Sequence, residues 1–346
     1  MCSGSTPTVM HSYLFDYSKY QQLFDTYQIS SSAVERLQYS WNEPHRFYHT
    51  EKHLTFLLAR IEQSSLPDPD KDKLRLTAFF HDVVYDPTAH DNEEQSAGLL
   101  REITQHPVTE EVAAMILDTK THKPRTELSR QFVEWDMAVV SESDFTQLLE
   151  WEWGVFKEFQ FVDYSLYKMG RLALLDEWTR KYPQNSENLR MLMAYLMQHR
   201  PQVGVYPGSF NPLHNGHLNI LQKAEKIFDK IIVAQGINPD KEDMETDITR
   251  LSVLKYRQTE KFPGLLTDYL TKKEKDCDIT LVRGLRNGDD LDYEVNQLRF
   301  MEDMKPEIKV VFIRCDKQFE HISSSAIRNL EKIEKGLGSK YIPNGG

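Results

Sequence analysis

VYPGSFNPLHNGHL, residues 205–218, carries a strand, a turn and a helix start in fourteen residues. A short apolar strand ends at Tyr206, Pro207-Gly208 makes a tight turn, and a helix opens around Asn215 to His217. That order points backbone N–H groups and the positive end of a helix dipole at whatever lies beyond the strand, which suits a phosphate. Ser209 adds a hydroxyl, and His214 and His217, three apart, occupy neighbouring positions on one helix face. Downstream, HLNILQKAEKIF reads as an amphipathic helix, KIIVAQG as a strand, GLLTDYLTKKE as a helix, ITLVRG as a strand, YEVNQLRFMEDM as a helix and IKVVFIR as a strand. Such alternation predicts right-handed βαβ units around a parallel sheet.

Upstream the pattern is different. Between about residues 31 and 200 the segments SSAVERLQYSW, EKHLTFLLARIEQ, KLRLTAFFHDVVY, NEEQSAGLLREI, EEVAAMILDTK and SDFTQLLEWEWGVFKEF space their apolar residues by three and four, as helices do. Proline and Asp/Asn clusters at 64–72, 86–92 and 121–129 separate them. The change falls at residues 198–202, with no Gly/Ser-rich linker. Two domains are therefore expected: an all-α one over 1–199 and an α/β Rossmann-like one over 200–346.

A length of 346 residues suits two cores, and 40% apolar with 27% charged residues is ordinary for a soluble globular protein. No apolar run reaches bilayer length, and MCSGSTPTVM has neither the basic nor the apolar region of a secretion signal, so a cytoplasmic location is expected. The three cysteines, Cys2, Cys277 and Cys315, lack C-x-x-C spacing and read as free thiols. The net charge of -11 is concentrated in the first 200 residues, about -10 against about -1 for the rest. This opposes binding to nucleic acid or to an anionic membrane and favours small-molecule substrates.

S-F-N-P-x-H-x-G-H resembles the H-x-G-H signature of the nucleotidyltransferase α/β-phosphodiesterase superfamily, and HISSSAIRNL (321–330) resembles its second, serine-rich motif. FPGLLTDYL (262–270), LVRGLRNGDDLDYE (281–294) and KPEIKVVFI (305–313) resemble phosphopantetheine adenylyltransferases, in the same order. The likeness implies adenylyl transfer from ATP to 4'-phosphopantetheine, with Mg2+, in a homo-oligomer. It implies that Ser209, Lys241, Leu266 and Arg283 contact phosphopantetheine. ATP would meet Ser209, Phe210, His214, Gly284, Leu285, Arg286, Glu294 and the run Phe319, Glu320, His321, Ile322, Ser323, Ser324 and Ser325, with His217 as the catalytic residue. The acceptor-side segment after Lys241 is shorter than in that family, and Met301-Glu302 replaces its usual Asn-Arg. His214 and Asn211 also resemble nicotinate mononucleotide adenylyltransferases, which stands as the alternative.

In the first half, RFYHTEKH (46–53) sets His49 and His53 one helical turn apart, and FFHDVVYDP (79–87) puts His81 beside Asp82 in apolar surroundings. Burying such a pair is costly unless something compensates it, as a divalent metal would. With Asp136 in VEWDMAVV, the pattern resembles the HD superfamily of metal-dependent phosphohydrolases. That likeness implies His53, His81, Asp82 and Asp136 as ligands of Fe, Mn, Zn or Ni and His49 as general acid. It also places Glu93, Glu94, Lys120 and His122 around a phosphate whose parent phosphoester or nucleotide is unknown. A non-catalytic role in ligand sensing or assembly is the alternative for this domain.

Overall fold

The computed structural model describes residues 15–237 and 247–343. Lys241 lies outside the described residues. The chain divides into two compact units, Met1–Glu158 with Tyr182–Asn188, and Phe159–Lys181 with Leu189–Gly346.

The first unit is helical: α1 (Gln21–Thr26), α2 (Ser31–Trp41), α3 (Glu51–Gln63), α4 (Asp68–Phe80), α5 (Asn92–Ile103), α6 (Thr109–Thr121), α7 (Glu127–Asp136), α8 (Ala138–Glu142) and α9 (Phe145–Glu158). Helix α4 starts with proline and two aspartates in its first turn, both suited to a helix N-terminus, and from Leu76 to Phe80 every residue is buried. A segment buried on all sides lies in the centre of its bundle. Phe79 packs edge-on against Phe24 at 5.0 Å, and its carbonyl accepts from the indole of Trp41 at 3.0 Å. Each fully buried ring of this kind contributes about 2–3 kcal/mol. The helix ends at Phe80, so His81 is its cap and Asp82 follows in a turn rather than in the helix.

In the second unit, α10 (Tyr164–Lys181) and the greater part of α11 (Ser186–Gln198) group with an α/β domain. This domain runs β1 (Gln202–Gly208), α12 (Asn215–Ala224), β2 (Lys230–Gly236), β3 (Gln258–Phe262), α13 (Leu266–Lys273), β4 (Asp278–Leu285), α14 (Gly288–Met304), β5 (Val310–Arg314) and α15 (Ser324–Ile333). The five strands are all parallel, in the order β3-β2-β1-β4-β5. Strand β2 is buried along almost its whole length, as expected when helices cover both faces. Strand β3, QTEKF, has no apolar run and escapes a reading by hydrophobicity; it lies at the sheet edge, where polar residues are tolerated.

Strand order reverses between β1 and β4, the point in an open α/β sheet where a crevice forms beyond the strand ends. Two glycine-bearing segments flank it: Pro207-Gly208, which closes β1 by pairing with Ala234 and Gln235 and so is strand rather than the tight turn expected from sequence, and Gly284 near the end of β4.

Candidate functional site

That crevice is a cavity of about 370 Å³. His214 is the N-cap of α12: its Nδ1 accepts from the His217 N–H at 3.3 Å, and His217 Nδ1 accepts from the His214 N–H at 3.3 Å. The two rings stack with centroids 3.6 Å apart, and Gly216 makes room, since a Cβ there would lie 3.0 Å from the His214 ring. Burial, then the Arg286 charge, pushes His214 down to about 4; burial, His214 and Arg286 hold His217 far below the usual imidazole range. Both rings are therefore neutral at pH 7. Because each Nδ1 is an acceptor, each remaining proton sits on Nε2, which leaves a neutral N–H donor on each ring for a phosphoryl oxygen.

Phe210 connects strand to helix in the left-handed region, at φ 47, a strain of order 1–3 kcal/mol for an aromatic residue. Its buried ring packs edge-on against Tyr206 at 5.4 Å and His217 at 5.1 Å, and fills the space above Gly208, where a Cβ would meet it at 2.9 Å. Across the cavity Arg283 is paired with Glu294, and Arg286 is paired with Asp290 through two bonds of 2.9 and 2.8 Å.

Of the residues expected from sequence, Phe210, His214, His217, Arg283, Gly284, Leu285, Arg286, Glu294, Phe319, Ile322, Ser323 and Ser324 line this one cavity. The others are not among its lining. Ser209 is exposed and its carbonyl accepts from Gln235. Glu320 pairs with Arg314, His321 packs near Tyr341 at 5.7 Å, and the Ser325 hydroxyl accepts from Arg328. Leu266 is the first residue of α13. The Ser323 hydroxyl caps α15 and that of Ser324 donates to the Pro212 carbonyl, so the serine run ties this helix to the first motif.

The cytidylyltransferase-like family matches residues 205–330. A phosphopantetheine adenylyltransferase of Alkaliphilus metalliredigens is 35% identical over 149 residues, covering 41% of this chain and 92% of the relative. The chain belongs to the phosphopantetheine adenylyltransferase family. Members from Clostridium novyi, 34% identical, and Clostridium perfringens, 36% identical, are matched over 91% and 88% of their lengths, again with 41% of this chain. The family match rests on the portion that holds the cleft, and residues 205–330 include the end of β1 and all of the other four strands.

The first unit brings its predicted residues together as well. His53 Nε2 lies 3.2 Å from His81 Nε2 and 3.0 Å from Asp136 Oδ1, and His81 Nε2 lies 3.1 Å from Asp82 Oδ2. His53, His81 and Asp82 each offer a donor atom, all within 4.8 Å of one another, and both histidines are buried. Two imidazole nitrogens and a carboxylate oxygen brought this close form a donor set that fits a divalent metal. His81 Nδ1 sits 3.0 Å from the Ala78 carbonyl, which fixes the proton on that nitrogen and turns the Nε2 lone pair inward.

His49 precedes the Thr50 cap of α3, so it reaches the cluster from the entry turn and not from one turn below His53. Glu158, which sequence motifs did not reveal, organises that turn. Its Oε1 accepts from the N–H groups of Phe47, Tyr48 and His49 at 2.8, 2.8 and 2.9 Å, and its Oε2 meets His49 Nδ1 and the Tyr85 hydroxyl, both at 2.7 Å. Burial resists this charge, but His49 and the bonds to it bring the carboxyl down to about 2. Against the pull of burial, Glu158 in turn raises His49. Arg46, also unanticipated, is buried and donates to the carbonyls of Asp82, Val83 and His49 at 2.7, 3.0 and 3.2 Å, tying the His-Asp turn to the entry of α3. Lys120 pairs with Glu94 at 2.7 Å and approaches Glu93 at 3.9 Å; His122 caps α6 in the left-handed conformation. Among the described residues no helix is long and apolar enough to cross a membrane.

Proposed function

We propose that the second unit transfers the adenylyl group of ATP to 4'-phosphopantetheine, releasing pyrophosphate and forming dephospho-CoA. The observation that carries this is the coincidence of family membership with a preformed cleft at the sheet's switch point, into which a neutral Nε2–H donor of His217 can project. The acceptor is a phosphate monoester, already anionic at pH 7, and it attacks the α-phosphorus directly, so no general base is needed. Catalysis then consists of holding the two partners in line and stabilising charge as it spreads over the phosphoryl oxygens. His214 and His217 donate without adding charge, while Arg286 and Arg283 supply it. Mg2+ would neutralise the departing pyrophosphate. Pyrophosphate release that depends on phosphopantetheine supports this reading; release with nicotinate mononucleotide alone overturns it.

For the first unit we propose phosphoester hydrolysis at a divalent centre held by His53, His81, Asp82 and Asp136. A metal there would supply an activated water and a Lewis acid for the phosphoryl oxygens. His49, oriented and made more basic by Glu158, protonates the leaving oxygen, and Lys120 with Glu93 borders the phosphate. Phosphate release from a phosphoester panel, abolished in His81→Ala with metal restored to the buffer, tests it; inactivity with Fe, Mn, Zn and Ni alike favours the sensing role. A homo-oligomer and a cytoplasmic setting complete the proposal, the former supported by α14, none of whose seventeen residues is buried.

A further inference from the structure

The starts of the strands, opposite the nucleotide cleft, enclose a second cavity of about 350 Å³. Strand register explains its floor. Val203 pairs with Lys230 and Ile232 with Gln258, so these side chains share one face at the N-terminal edge of the sheet. Asp163 just before α10, Ser165 in its first turn, and Tyr269 and Lys273 of α13 complete the walls. The α10 segment lies outside residues 205–330, so this cavity is not contained in the part matched to the cytidylyltransferase-like family.

Two polar side chains in it are buried with bonding capacity unused. Lys230 is 1% exposed, and its ammonium donates to one carbonyl, that of Gln160. Gln258 is 3% exposed, and its Oε1 has no partner although its Nε2 donates to Asp163 and Glu260. Leaving a buried acceptor unsatisfied is costly, and a ligand that donates to it would recover that cost. The two carboxylates of the wall are already engaged, since Lys273 bridges Asp163 at 3.0 Å and Glu260 at 2.6 Å. Lys272 and Lys275 stand at the rim, so the lining holds four lysines against two acids in a chain of net charge -11.

We propose that this cavity binds a small organic anion that also carries a hydrogen-bond donor, with its carboxylate or phosphate on Lys230 and its hydroxyl on Gln258 Oε1. The unliganded state of Lys230 agrees: burial pushes its ammonium down to about 7, against the opposing charges of Asp163, Cys277 and Glu260 and with a further small push from Lys273. An anion beside it restores the charge, so binding at pH 8 draws a proton from solvent.

Isothermal titration of the full chain with D-glycerate, glycerol 3-phosphate and uncharged glycerol, in two buffers of different ionisation enthalpy, tests the proposal. Expected are saturable binding of at least one of the two anions, none of glycerol, and uptake of about one proton at pH 8. The glycerate and glycerol 3-phosphate arms decide between carboxylate and phosphate. Lys230→Met should weaken binding at least tenfold and remove the proton uptake. Gln258→Leu, which leaves Lys230 in place, should weaken the hydroxylated anions while leaving acetate and inorganic phosphate unchanged, with thermal melts showing both variants folded. Absence of saturable binding by either anion, or binding untouched by both substitutions, overturns the proposal and leaves a cavity that holds water only.

Discussion

At the scale of single residues, protonation states are set by what each ring nitrogen touches. His214 falls from its ordinary 6.5 to about 4 on folding, because burial, aided by Arg286, disfavours the cation. The unfolded chain therefore binds the extra proton: the contribution to stability is complete above about 6.5 and declines as pH falls toward about 4. Calorimetric melts should show the second unit losing stability across that window. His214→Asn, which keeps an N-cap acceptor but does not titrate, should flatten the loss. His217→Ala removes the donor aimed at the transition state, and pyrophosphate release should drop by about 10²–10³-fold with a smaller change in KM. In the first unit Glu158→Gln keeps the shape but loses the charge that orients and raises His49. Hydrolysis should fall by about 10²-fold while elemental analysis finds the bound metal unchanged. That the motif histidines and aspartates lie together could be read from the sequence, because few residue types suit phosphate or metal. Glu158 could not, since it lies about a hundred residues from its partners and a glutamate near the end of an amphipathic helix looks like surface.

At the scale of elements, alternation of apolar and polar residues identified most helices and the buried strands, because there burial itself writes the pattern. It missed β3, whose edge position asks little of its side chains. It also merged the entry turn before α3, and the His-Asp turn after α4, into their neighbouring helices. In both places hydrogen bonds from Glu158 and Arg46, not periodicity, hold the backbone. Helix α14 presents the reverse case: Tyr293, Phe300 and Met304 are 62%, 67% and 52% exposed on an element with no buried residue. In the proposed homo-oligomer these three side chains would pack against a second copy of the chain. Phe300→Glu with Met304→Glu should lower the mass seen in sedimentation velocity, and because neither residue is buried the protomer should keep its fold and its melting temperature.

At the scale of the whole molecule, the two proposed chemistries fall in two compact units, each with its own core and its own cluster of polar groups. Point substitutions should therefore separate them. His81→Ala should abolish phosphate release and leave pyrophosphate release within about twofold, and His217→Ala should do the converse, as expected for sites that share no partners. A change of composition in the sequence located the start of the sheet, because the strand-helix rhythm begins there. The grouping of α10 and most of α11 with that sheet was not legible, since a helix carries no mark of which core it covers. The chain passes from one unit to the other at residue 159, returns for 182–188 and leaves again at 189. A gene cut at codon 200 would thus produce two fragments, one carrying orphaned helices and the other stripped of the helix that walls its second cavity.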